Sequence, residues 1–490
     1  MMPRRTADTV RDQSATRVRR RCSGGTRAPL CSALVAWLCL SAGAAVVSAQ
    51  TANADPESAP APAATQPDDQ TPARHPVWAV AEVIAINGLY NLSDNLLPLD
   101  NPDHFRISLA SWRRNLRRGF GWDDDPFLIN QAGHPYQGGS YFSAGRSLGL
   151  SFWEAAPLSA LGSVTWEYFG ETTRPAWNDV LNTSLAGPLI GEVLHRAAWL
   201  IRDPRRTGNA RAGLELAATV VDPISGLNRL LTGEAWRVSR KPRDLQPASL
   251  GVDIGVGVSW HGGGRPVSAA NGIPQLILNL DYGRLEAGRA EKPFDAFSLR
   301  LGAGSDGVVS ATVRGRLISR PLGRSADVRH QLLLVQGYDY ESTRAFRFGG
   351  PSVRVGIADR FSLSARTDLQ TTVLAAFVPV AAANPSFWSA TKTSYAYGTG
   401  AGLSGSATLR RNDAAVARVS YDAYRLHTLS GATTGSIARA LHADLMLPLW
   451  QRLRLGLGGD RLAMTVRLKD GTRRAQGVSQ LRVYLAWSGR

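Results

Sequence analysis

The apolar residues of this chain follow two different periods, one in each half. Between residues 77 and 240 they recur at helical spacing, which predicts helices over 77–92, 148–169 and 177–201 and a shorter one ending near Gly233. From about Leu250 the period changes to two, and polar and apolar residues alternate over 275–282, 309–317, 417–424 and 480–487. We therefore predict an α+β fold in which an N-terminal helical domain, 77–240, precedes antiparallel strands at 250–488.

The second half has room for about twelve strands of roughly ten residues, the length that lets a tilted strand cross a bilayer. The turn-like clusters HGGG, GSDG, RRND and KDGT separate some of them. Alternation alone does not show whether the apolar face meets a protein core or lipid. The polar face repeatedly carries Arg and Asp, as a water-filled lumen requires, and Trp487 stands near the C-terminus. This pattern favours a closed transmembrane β-barrel over a soluble sandwich.

The N-terminus has the features of an export signal. Eight Arg and two Asp among residues 1–27 precede an apolar run at 30–47 and the small-residue sequence Val47-Ser48-Ala49. This order predicts a cleaved signal peptide at 1–49, with a signal anchor as the alternative. All three cysteines fall inside it, so the exported chain would contain neither disulfides nor Cys metal sites. Residues 50–76, rich in Pro, Ala and Asp, are typical of a flexible, disordered linker.

Loss of the signal peptide would lower the formal net charge from +17 to +11, so the exported chain remains basic. A basic chain often binds nucleic acid, but export argues against that partner. We expect the exported chain to lie in the outer membrane of a Gram-negative bacterium. Its partner would then be the membrane lipid, and any protein partner is unknown. Arginines on the polar strand faces could select anions in a pore, or instead pair with Asp281 and Asp422. These arginines are Arg314, Arg316, Arg418, Arg452, Arg454, Arg467 and Arg482.

Five acids stand in the mostly apolar segment 154–192, namely Glu154, Glu167, Glu171, Asp179 and Glu192. On a helix, Asp179, Thr183, Gly187 and Gly191 form a narrow stripe of polar and small residues. One interpretation is structural, because small residues let a second helix approach and polar ones hydrogen-bond across the contact. A second is a site, because burial raises carboxyl pKa values and makes such groups candidate acids, bases or ligands of hard metal ions. A third is a surface that binds a partner.

If the segment is catalytic, the candidate residues are Glu167, Glu171, Asp179 and His134. A polar network would add Glu154, Trp166, Asn178, Asn182, Glu192 and Arg146. The chain has no P-loop, dinucleotide fingerprint, H-E-x-x-H or EF-hand pattern, and we predict neither a cofactor nor a metal site. HGGG at 261–264 looks like an oxyanion loop, but no G-x-S-x-G elbow accompanies it, and we interpret it as a barrel turn.

Residues 134–196 carry the motif H-P-Y-x-G-G-x-Y, which begins at His134, and the motif W-E-Y-x-x-E-x3-P-x2-N-D, which begins at Trp166. In these motifs the segment resembles a bacterial family, domain of unknown function 3943. The family commonly has Ser after the Pro of the second motif, where this chain has Ala176. The resemblance implies an exported, outer-membrane-associated protein with a β-rich C-terminal half, and it implies no reaction.

Three functions fit these features. The first is a non-enzymatic outer-membrane barrel for envelope organisation or passage of a small solute, with its helical domain periplasmic or docked in the lumen. The second is an envelope enzyme that acts on lipid or glycolipid through the acidic cluster. The third is an assembly or adaptor module whose basic surface docks another envelope protein. We expect the first.

Overall fold

The structure is a computed structural model, and it describes residues 74–97, 102–262, 271–286, 290–305, 307, 309–324, 328–343, 346–385 and 395–489. The predicted signal peptide and nearly all of the predicted linker lie outside these residues. The described part begins with seven α-helices, which are α1 (Pro76–Leu96), α2 (Leu109–Arg118), α3 (His134–Ser147), α4 (Phe152–Thr165), α5 (Trp177–Ile201), α6 (Gly208–Val221) and α7 (Pro223–Leu231). Short π-helical turns at Ile129–Gly133 and Trp166–Gly170 adjoin α3 and α4.

Twelve strands follow and close into an antiparallel barrel, in which each strand pairs with its neighbours in sequence and β1 pairs with β12. The strands are β1 (Leu250–Gly262), β2 (Ile273–Tyr282), β3 (Phe297–Gly304), β4 (Val309–Arg324), β5 (Val328–Ser342), β6 (Phe346–Ser364), β7 (Thr367–Pro385), β8 (Ala396–Arg411), β9 (Ala414–Ser430), β10 (Thr433–Trp450), β11 (Leu453–Leu468) and β12 (Arg473–Gly489). The predicted α+β fold and the number of strands are confirmed.

The predicted turns separate the strands where the structure describes them. Asn412 and Asp413 both have positive φ, 50° and 66°, and connect β8 to β9 in the left-handed backbone that a two-residue hairpin favours. Gly471, with φ of 85°, connects β11 to β12. Two residues of HGGG, His261 and Gly262, belong to β1, and the rest of that cluster lies outside the described residues. Most strands are longer than the predicted ten residues, because ladder hydrogen bonds continue where the side-chain alternation fades.

The helical half departs from the prediction mainly in its short and buried helices. Helices α1 and α5 match the periods at 77–92 and 177–201. Helix α4 begins at Phe152, later than predicted, because Ser151 caps it: the Ser151 amide donates to the Glu154 carboxylate at 2.9 Å. The pattern does not predict α2, α3 or α6. Helix α3 is buried on almost every side, so it has no polar face to mark a period. Among the described helices, none combines the length and apolarity needed to cross a membrane.

The outer face of the barrel is largely apolar, and its interior is polar around Asp281, Asp339 and Asp460 but apolar toward the loop-rim ends of β7 and β9 to β11, where Tyr424, Leu426, Met464 and Val466 form a buried cluster. In β2, Asn279 and Asp281 line the lumen, whereas Leu278 and Leu280 point outward. On β6 to β12 the outward side chains are largely apolar and exposed; they include Val353, Val355, Ile357, Val373, Phe377, Leu403, Val419, Leu441, Leu445, Leu457, Leu481 and Leu485. This arrangement is the reverse of a soluble sandwich, which buries its apolar face.

The helical domain packs against the outer wall of the barrel, over β2 to β7, and reaches Tyr397 of β8 at the loop rim. Leu278 of β2 and Val313 of β4 share one apolar core with Phe142 of α3 and Leu189 of α5. Strand β5 also contacts the domain, since the Gln336 side-chain amide donates to the backbone carbonyl of Leu185 in α5 at 2.6 Å. The expectation that the domain lies in the lumen or beneath it is therefore wrong. Alternation marks an outward apolar face, but it does not show whether lipid or protein covers that face.

The strand connections define two ends of the barrel. At one end, which we call the turn rim, two-residue connections follow β6, β8 and β10, fourteen residues connect β2 to β3, and β1 begins and β12 ends. At the other end, the loop rim, ten residues connect β1 to β2 and β7 to β8, and a two-residue connection follows β9. Helix α5 runs between the two rims: near its start Asn182 contacts Asn130, which lies against the loop-rim tyrosines, and near its end Arg196 donates to the Pro293 carbonyl at the turn rim, at 3.0 Å.

Helix α3 crosses α5 at the stripe of small residues. A Cβ atom on Gly187 would lie 2.6 Å from the carbonyl carbon of Gly138, and one on Gly139 would lie 3.2 Å from the Gly191 nitrogen. Only glycine leaves space for two backbones this close. Helix α3 also packs against α1 and α4, and α4 in turn packs against α5.

Candidate functional site

The polar faces of the strands surround a lumen cavity of about 230 Å³. Side chains from all round the barrel line it, including Asn279, Arg300, Thr312, Glu341, Thr372, Ser406, Arg418, His442 and Arg482. Its volume is below the roughly 300–1,000 Å³ that is typical of pockets for drug-sized ligands. The cavity therefore suits water and small solutes.

Asp281 is the centre of an ion-pair cluster near the turn rim. Its carboxylate accepts from Arg410 at 2.8 Å, from Arg418 at 3.0 Å and from Arg300 of the neighbouring strand. Asp281 lies on β2 and Arg410 on β8, six strands away around a twelve-stranded barrel. The pair therefore bridges the full width of the lumen. Arg418 extends the bridge to Asp253 of β1, at 3.3 Å.

A second cluster lies deeper in the lumen. Asp339 of β5 accepts from Arg314 at 2.6 Å, from Arg354 at 2.7 Å and from the Tyr424 hydroxyl at 2.6 Å. Asp422 of β9 accepts from the same two arginines, at 3.1 Å and 2.8 Å. Arg354 is fully buried, so both of its charge partners are needed to offset its lost hydration.

A third cluster lines the wall formed by β10 to β12. Arg482 donates to Asp444 at 3.1 Å and to Asp460, and the ring of His442 contacts Asp460 at 2.8 Å. The three clusters together place carboxylates against the guanidinium groups that line the cavity. Arg314 pairs with Asp422 and Arg418 pairs with Asp281, so these two arginines follow the ion-pairing alternative.

Two of the arginines predicted in the lumen lie elsewhere. Arg467 is exposed on the outer face of β11, because Val466, next to it, points inward and is buried. Arg452 lies in the turn between β10 and β11, with its guanidinium 5.8 Å from the Trp487 ring centroid. Arg316 is buried at the turn rim, where it donates to Asp295 at 2.9 Å. Alternation predicts which side chains face the lumen only within a strand. It does not hold in the turns or across the strand ends.

Part of the acidic cluster predicted from the sequence comes together at the loop rim, outside the barrel. His134 Nε2 lies 3.5 Å from Asp179 Oδ1. The Asn178 side-chain amide donates to Asp179 at 2.8 Å and to Asp123 at 2.5 Å. Asn130 donates to Asp123 at 2.8 Å and contacts the hydroxyls of two barrel tyrosines, Tyr395 at 2.7 Å and Tyr397 at 2.8 Å. The cluster therefore connects the starts of α3 and α5 to the barrel.

Glu167 and Glu171 lie in the same region. Glu167 is fully buried, and its Oε2 accepts from the backbone nitrogen of Ala176 at 2.7 Å, which fixes the turn between α4 and α5. The carbonyl of Glu171 accepts from the Asn115 side chain of α2 at 3.0 Å. Among the described residues, none donates a hydrogen bond to Oε1 of Glu167.

Burial keeps these groups in their neutral forms. Desolvation and the nearby Glu171 carboxyl raise the pKa of Glu167 well above its usual value. Desolvation, with Asp123 and Glu167 nearby, does the same to the pKa of Asp179, and desolvation raises the pKa of Glu171 to about 8. Burial lowers the pKa of His134. Burial therefore favours the neutral forms of both His134 and Asp179 and disfavours an ion pair between them.

The remaining predicted residues lie in other parts of the domain. Glu154 is exposed at the first turn of α4, where it caps the helix and pairs with Arg74. Glu192 is buried between Arg146 of α3, at 2.7 Å, and Arg196, at 2.8 Å. Asn182 donates to the Asn130 carbonyl. Trp166 packs against Tyr90 and Phe105, with ring centroids 6.4 Å and 6.3 Å away.

These side chains connect the helices by hydrogen bonds and ion pairs. They do not converge on one point as the ligands of a metal ion would. Among the described residues, no group of three or more His, Cys, Asp or Glu side chains is placed to hold a metal ion. Sequence reasoning missed Asp123, Asn130, Tyr395 and Tyr397, which complete the loop-rim cluster. Asp123 and Asn130 carry no periodic signal, and Tyr395 is 265 positions from Asn130. It also missed Asp339 and Arg354, although both stand on polar strand positions that the alternation could have marked.

Together, the fold and the lumen define a closed β-barrel that carries a helical domain on its outer wall. Residues 119–224, which include α3 to α6, match the family described as Domain of unknown function (DUF3943). This segment is thus a domain of that family, as the H-P-Y and W-E-Y motifs indicated. No curated protein matches the chain.

Solved porin and transporter structures match the chain at low similarity. NanC porin is 7% identical, with 47% of this chain and 98% of that chain covered and a TM-score of 0.23. KdgM porin is 11% identical, with 49% and 99% covered and a TM-score of 0.22. The toluene transporter TodX of Pseudomonas putida is 9% identical, with 50% and 90% covered and a TM-score of 0.19. At such low TM-scores, the functions of these proteins imply nothing about the function of this chain.

Proposed function

We propose that this protein is an outer-membrane β-barrel through whose lumen a small polar solute passes. The observation that carries the proposal is the convergence of polar side chains from strands all round the barrel on one cavity. The helical domain packs outside the wall, so it does not block that path. Paired charges leave little net charge along the cavity, which favours a small polar solute over strong selection of anions.

The outer face of the barrel supports the membrane location. Strands β4 to β12 have 15 to 19 residues, enough to cross about 30 Å of hydrocarbon at a tilt. The apolar outer side chains of β6 to β12 would contact lipid, while the ion-paired clusters around Asp281, Asp339 and Asp460 stay inside. Arg425, Arg439, Arg461 and Arg467 are exposed on the outer face and would lie at the membrane interface. In water the same arrangement would expose a large apolar surface, which soluble monomers rarely do.

The ion-pair bridge at Asp281 would restrict the passage. Arg410 and Arg418 reach it across the lumen, so the passage narrows near the turn rim. Arg410→Ser leaves a shorter, uncharged side chain there, and Asp281→Asn releases Arg410 and Arg418 from the carboxylate that holds them across the lumen. The lumen would then hold more water and conduct ions better.

Recordings from the purified barrel in planar bilayers test this function. We expect a small conductance for the unaltered protein and a larger one for Arg410→Ser and for Asp281→Asn. Asp470→Asn is the matched control, because Asp470 is exposed in the turn between β11 and β12 and its loss leaves the lumen unchanged. Heat-modifiable migration on gels reports that each barrel has folded. The absence of conductance in all folded variants would contradict solute passage.

For the acidic cluster at the loop rim, we infer a structural role. Asp179, Asn178, Asp123 and Asn130 form a continuous set of hydrogen bonds that ends on barrel tyrosines. The Asp179 carboxyl is buried and its pKa is raised, and a protonated carboxyl can donate as well as accept hydrogen bonds. If the cluster instead catalysed a reaction on lipid, Asp179→Asn would abolish a lipid change while the domain stayed folded and docked. We expect loosened docking and no change in lipid composition.

A further inference from the structure

The helical domain has an apolar outer surface made by two helices. Every exposed position of α1 from Val77 to Leu92 is uncharged and apolar, and large side chains such as Trp78, Ile84 and Leu89 stand out from it. Helix α1 is not apolar all round, since Asn87 on its inner face is buried and hydrogen-bonded. The apolar side of α1 is therefore a distinct face, turned away from the barrel.

Helix α4 lies beside α1 and continues this face. The Asn87 side chain donates to the Gly162 carbonyl of α4 at 3.1 Å, and Asn91 donates to the Gly170 carbonyl just beyond α4 at 2.9 Å. The exposed positions of α4 and its following turn include Trp153, Leu161 and Phe169. We call the combined surface of α1, α4 and Phe169 the flank.

Charged residues border the flank at its two ends and are absent from the exposed positions between them within the described helices. At the turn-rim end, Arg74 pairs with Glu154. At the loop-rim end, α2 exposes Arg113, Arg117 and Arg118. A 21-residue helix such as α1 is about 31 Å long at 1.5 Å per residue, which matches the roughly 30 Å of hydrocarbon in a bilayer.

The flank also continues the apolar outer face of the barrel. The helical domain contacts the wall from β2 to β7. Exposed apolar side chains stand beside it on the outer face of the barrel, with Val256 on β1 and Val353 and Val355 on β6. A bilayer around the barrel would reach the domain from both sides. The flank lies at the same depth as these outer side chains. If water covered it, water would have to enter the bilayer hydrocarbon beside the barrel wall.

We propose that the flank contacts the acyl chains of the bilayer that surrounds the barrel, and that α2 lies among the anionic headgroups at the loop rim. This inference rests on the proposed outer-membrane location. Arginine and a tryptophan, Trp112, on a short amphipathic helix suit the headgroup region, where phosphate groups pair with guanidinium. The protein then presents a composite surface to lipid, part strands and part helices.

Single spin labels on the full chain test the proposal. Cys22, Cys31 and Cys39 are replaced by serine, and one cysteine is introduced at Ile84→Cys or Leu161→Cys on the flank. Leu441→Cys, exposed on the outer face of β10, is the lipid control, and Asp470→Cys is the aqueous control. The protein is reconstituted in vesicles of phosphatidylethanolamine and phosphatidylglycerol. Collision with oxygen, which concentrates in acyl chains, is compared with collision with a water-soluble nickel chelate.

We expect labels at Ile84 and Leu161 to match Leu441, with an oxygen-to-nickel accessibility ratio several-fold above that of Asp470. Nickel-accessible flank labels with a lipid-exposed Leu441 label would overturn the flank proposal and leave the membrane location intact. Nickel-accessible labels at all positions would instead overturn the membrane location. Spin–spin broadening between flank labels would show a second copy of the chain on the flank, which also overturns the proposal.

Discussion

Tyr338 and Asp339 are neighbours in β5 whose side chains leave opposite faces of the barrel wall. The Tyr338 hydroxyl donates to the backbone carbonyl of Gln131 in the helical domain, at 2.6 Å, and the Asp339 carboxylate accepts from Arg314 in the lumen, also at 2.6 Å. One dipeptide therefore joins the helical domain to the ion pairs inside the barrel. Alternation along a strand makes this possible, since successive side chains point to opposite sides.

The two residues are expected to have separable effects. Tyr338→Phe removes the hydroxyl and leaves the buried Gln131 carbonyl without that donor, which costs about 1 kcal/mol of docking free energy. We expect faster hydrogen exchange in α3, measured by mass spectrometry in detergent, with unchanged conductance. Tyr421→Phe is the control, because Tyr421 is exposed on the outer face of β9. Equal exchange in both variants would show that the Tyr338 hydrogen bond does not hold the domain.

The crossing of α3 and α5 predicts intolerance of side chains at Gly187. Gly187→Val places methyl groups against the backbone of Gly138, so the helices must separate, at a cost of roughly 1–3 kcal/mol. Gly213→Ala in α6 is the matched control, because a Cβ there has no neighbour within 4 Å; it should stabilise the domain by about 0.5–1 kcal/mol. Urea denaturation of the helical domain, followed by circular dichroism, measures both. A Gly187 variant as stable as the parent would rule out the close crossing.

The acidic cluster predicts that the helical domain is more stable at pH 5 than at pH 8. Burial raises the pKa of Glu171 from 4.5 to about 8, so the folded domain holds a proton that the unfolded chain releases above pH 4.5. The stabilisation from Glu171 is complete below pH 4.5 and is lost as the pH rises through 8. We expect the thermal midpoint to fall over this range.

Amide substitution checks the source of that pH dependence. Glu171→Gln removes one of the titrating carboxyl groups and should reduce the fall in thermal midpoint between pH 5 and pH 8, since Glu167 and Asp179 still titrate in the same direction. Glu291→Gln, at an exposed position in the connection between β2 and β3, should leave the slope as it is in the parent. A Glu171→Gln protein with the parent slope would assign the dependence to other groups.

The sequence predicts the strands well because each one repeats the same local rule. Leu278 and Leu280 alternate with Asn279 and Asp281, and these two pairs do face opposite sides of the wall. What covers Leu278 is a long-range property. It depends on Phe142 and Leu189, which lie on helices more than eighty positions away in the chain. No period in either half encodes that contact, so the docking of the helical domain on the wall could not be predicted.

The candidate site, too, could be predicted only in part from the sequence. His134 and Asp179 were both candidates, and the structure brings them to 3.5 Å because α3 and α5 begin side by side. Glu154 and Glu192 were grouped with them by proximity in sequence, yet one is exposed and the other lies between two arginines. Spacing along a helix shows which residues share a face. It does not show which end of the helix meets another buried acid.

Glu192 predicts the largest single loss of stability. Its carboxylate is fully buried and neutralises Arg146 and Arg196, so Glu192→Gln leaves two guanidinium groups without that charge, at a cost of about 3–5 kcal/mol. Arg196 also donates to the carbonyls of Asp244 and Pro293, at 2.9 Å and 3.0 Å, so the loss should loosen the domain at the turn rim as well. Limited proteolysis of the segment between α7 and β1 reports this loosening.

A comparison with the exposed ion pair of Glu154 and Arg74 separates the effect of burial from the effect of losing one charge. Glu154→Gln removes the same charge at an exposed position, where it pairs with Arg74 in solvent, and it should leave the denaturation midpoint and the proteolysis rate as they are in the parent. Because exposed pairs gain little from attraction and buried arginines lose their hydration, the two variants should differ clearly. If Glu192→Gln behaves like Glu154→Gln, water must reach Arg146 and Arg196, and the contact between the helical domain and the turn rim is looser than the structure has it.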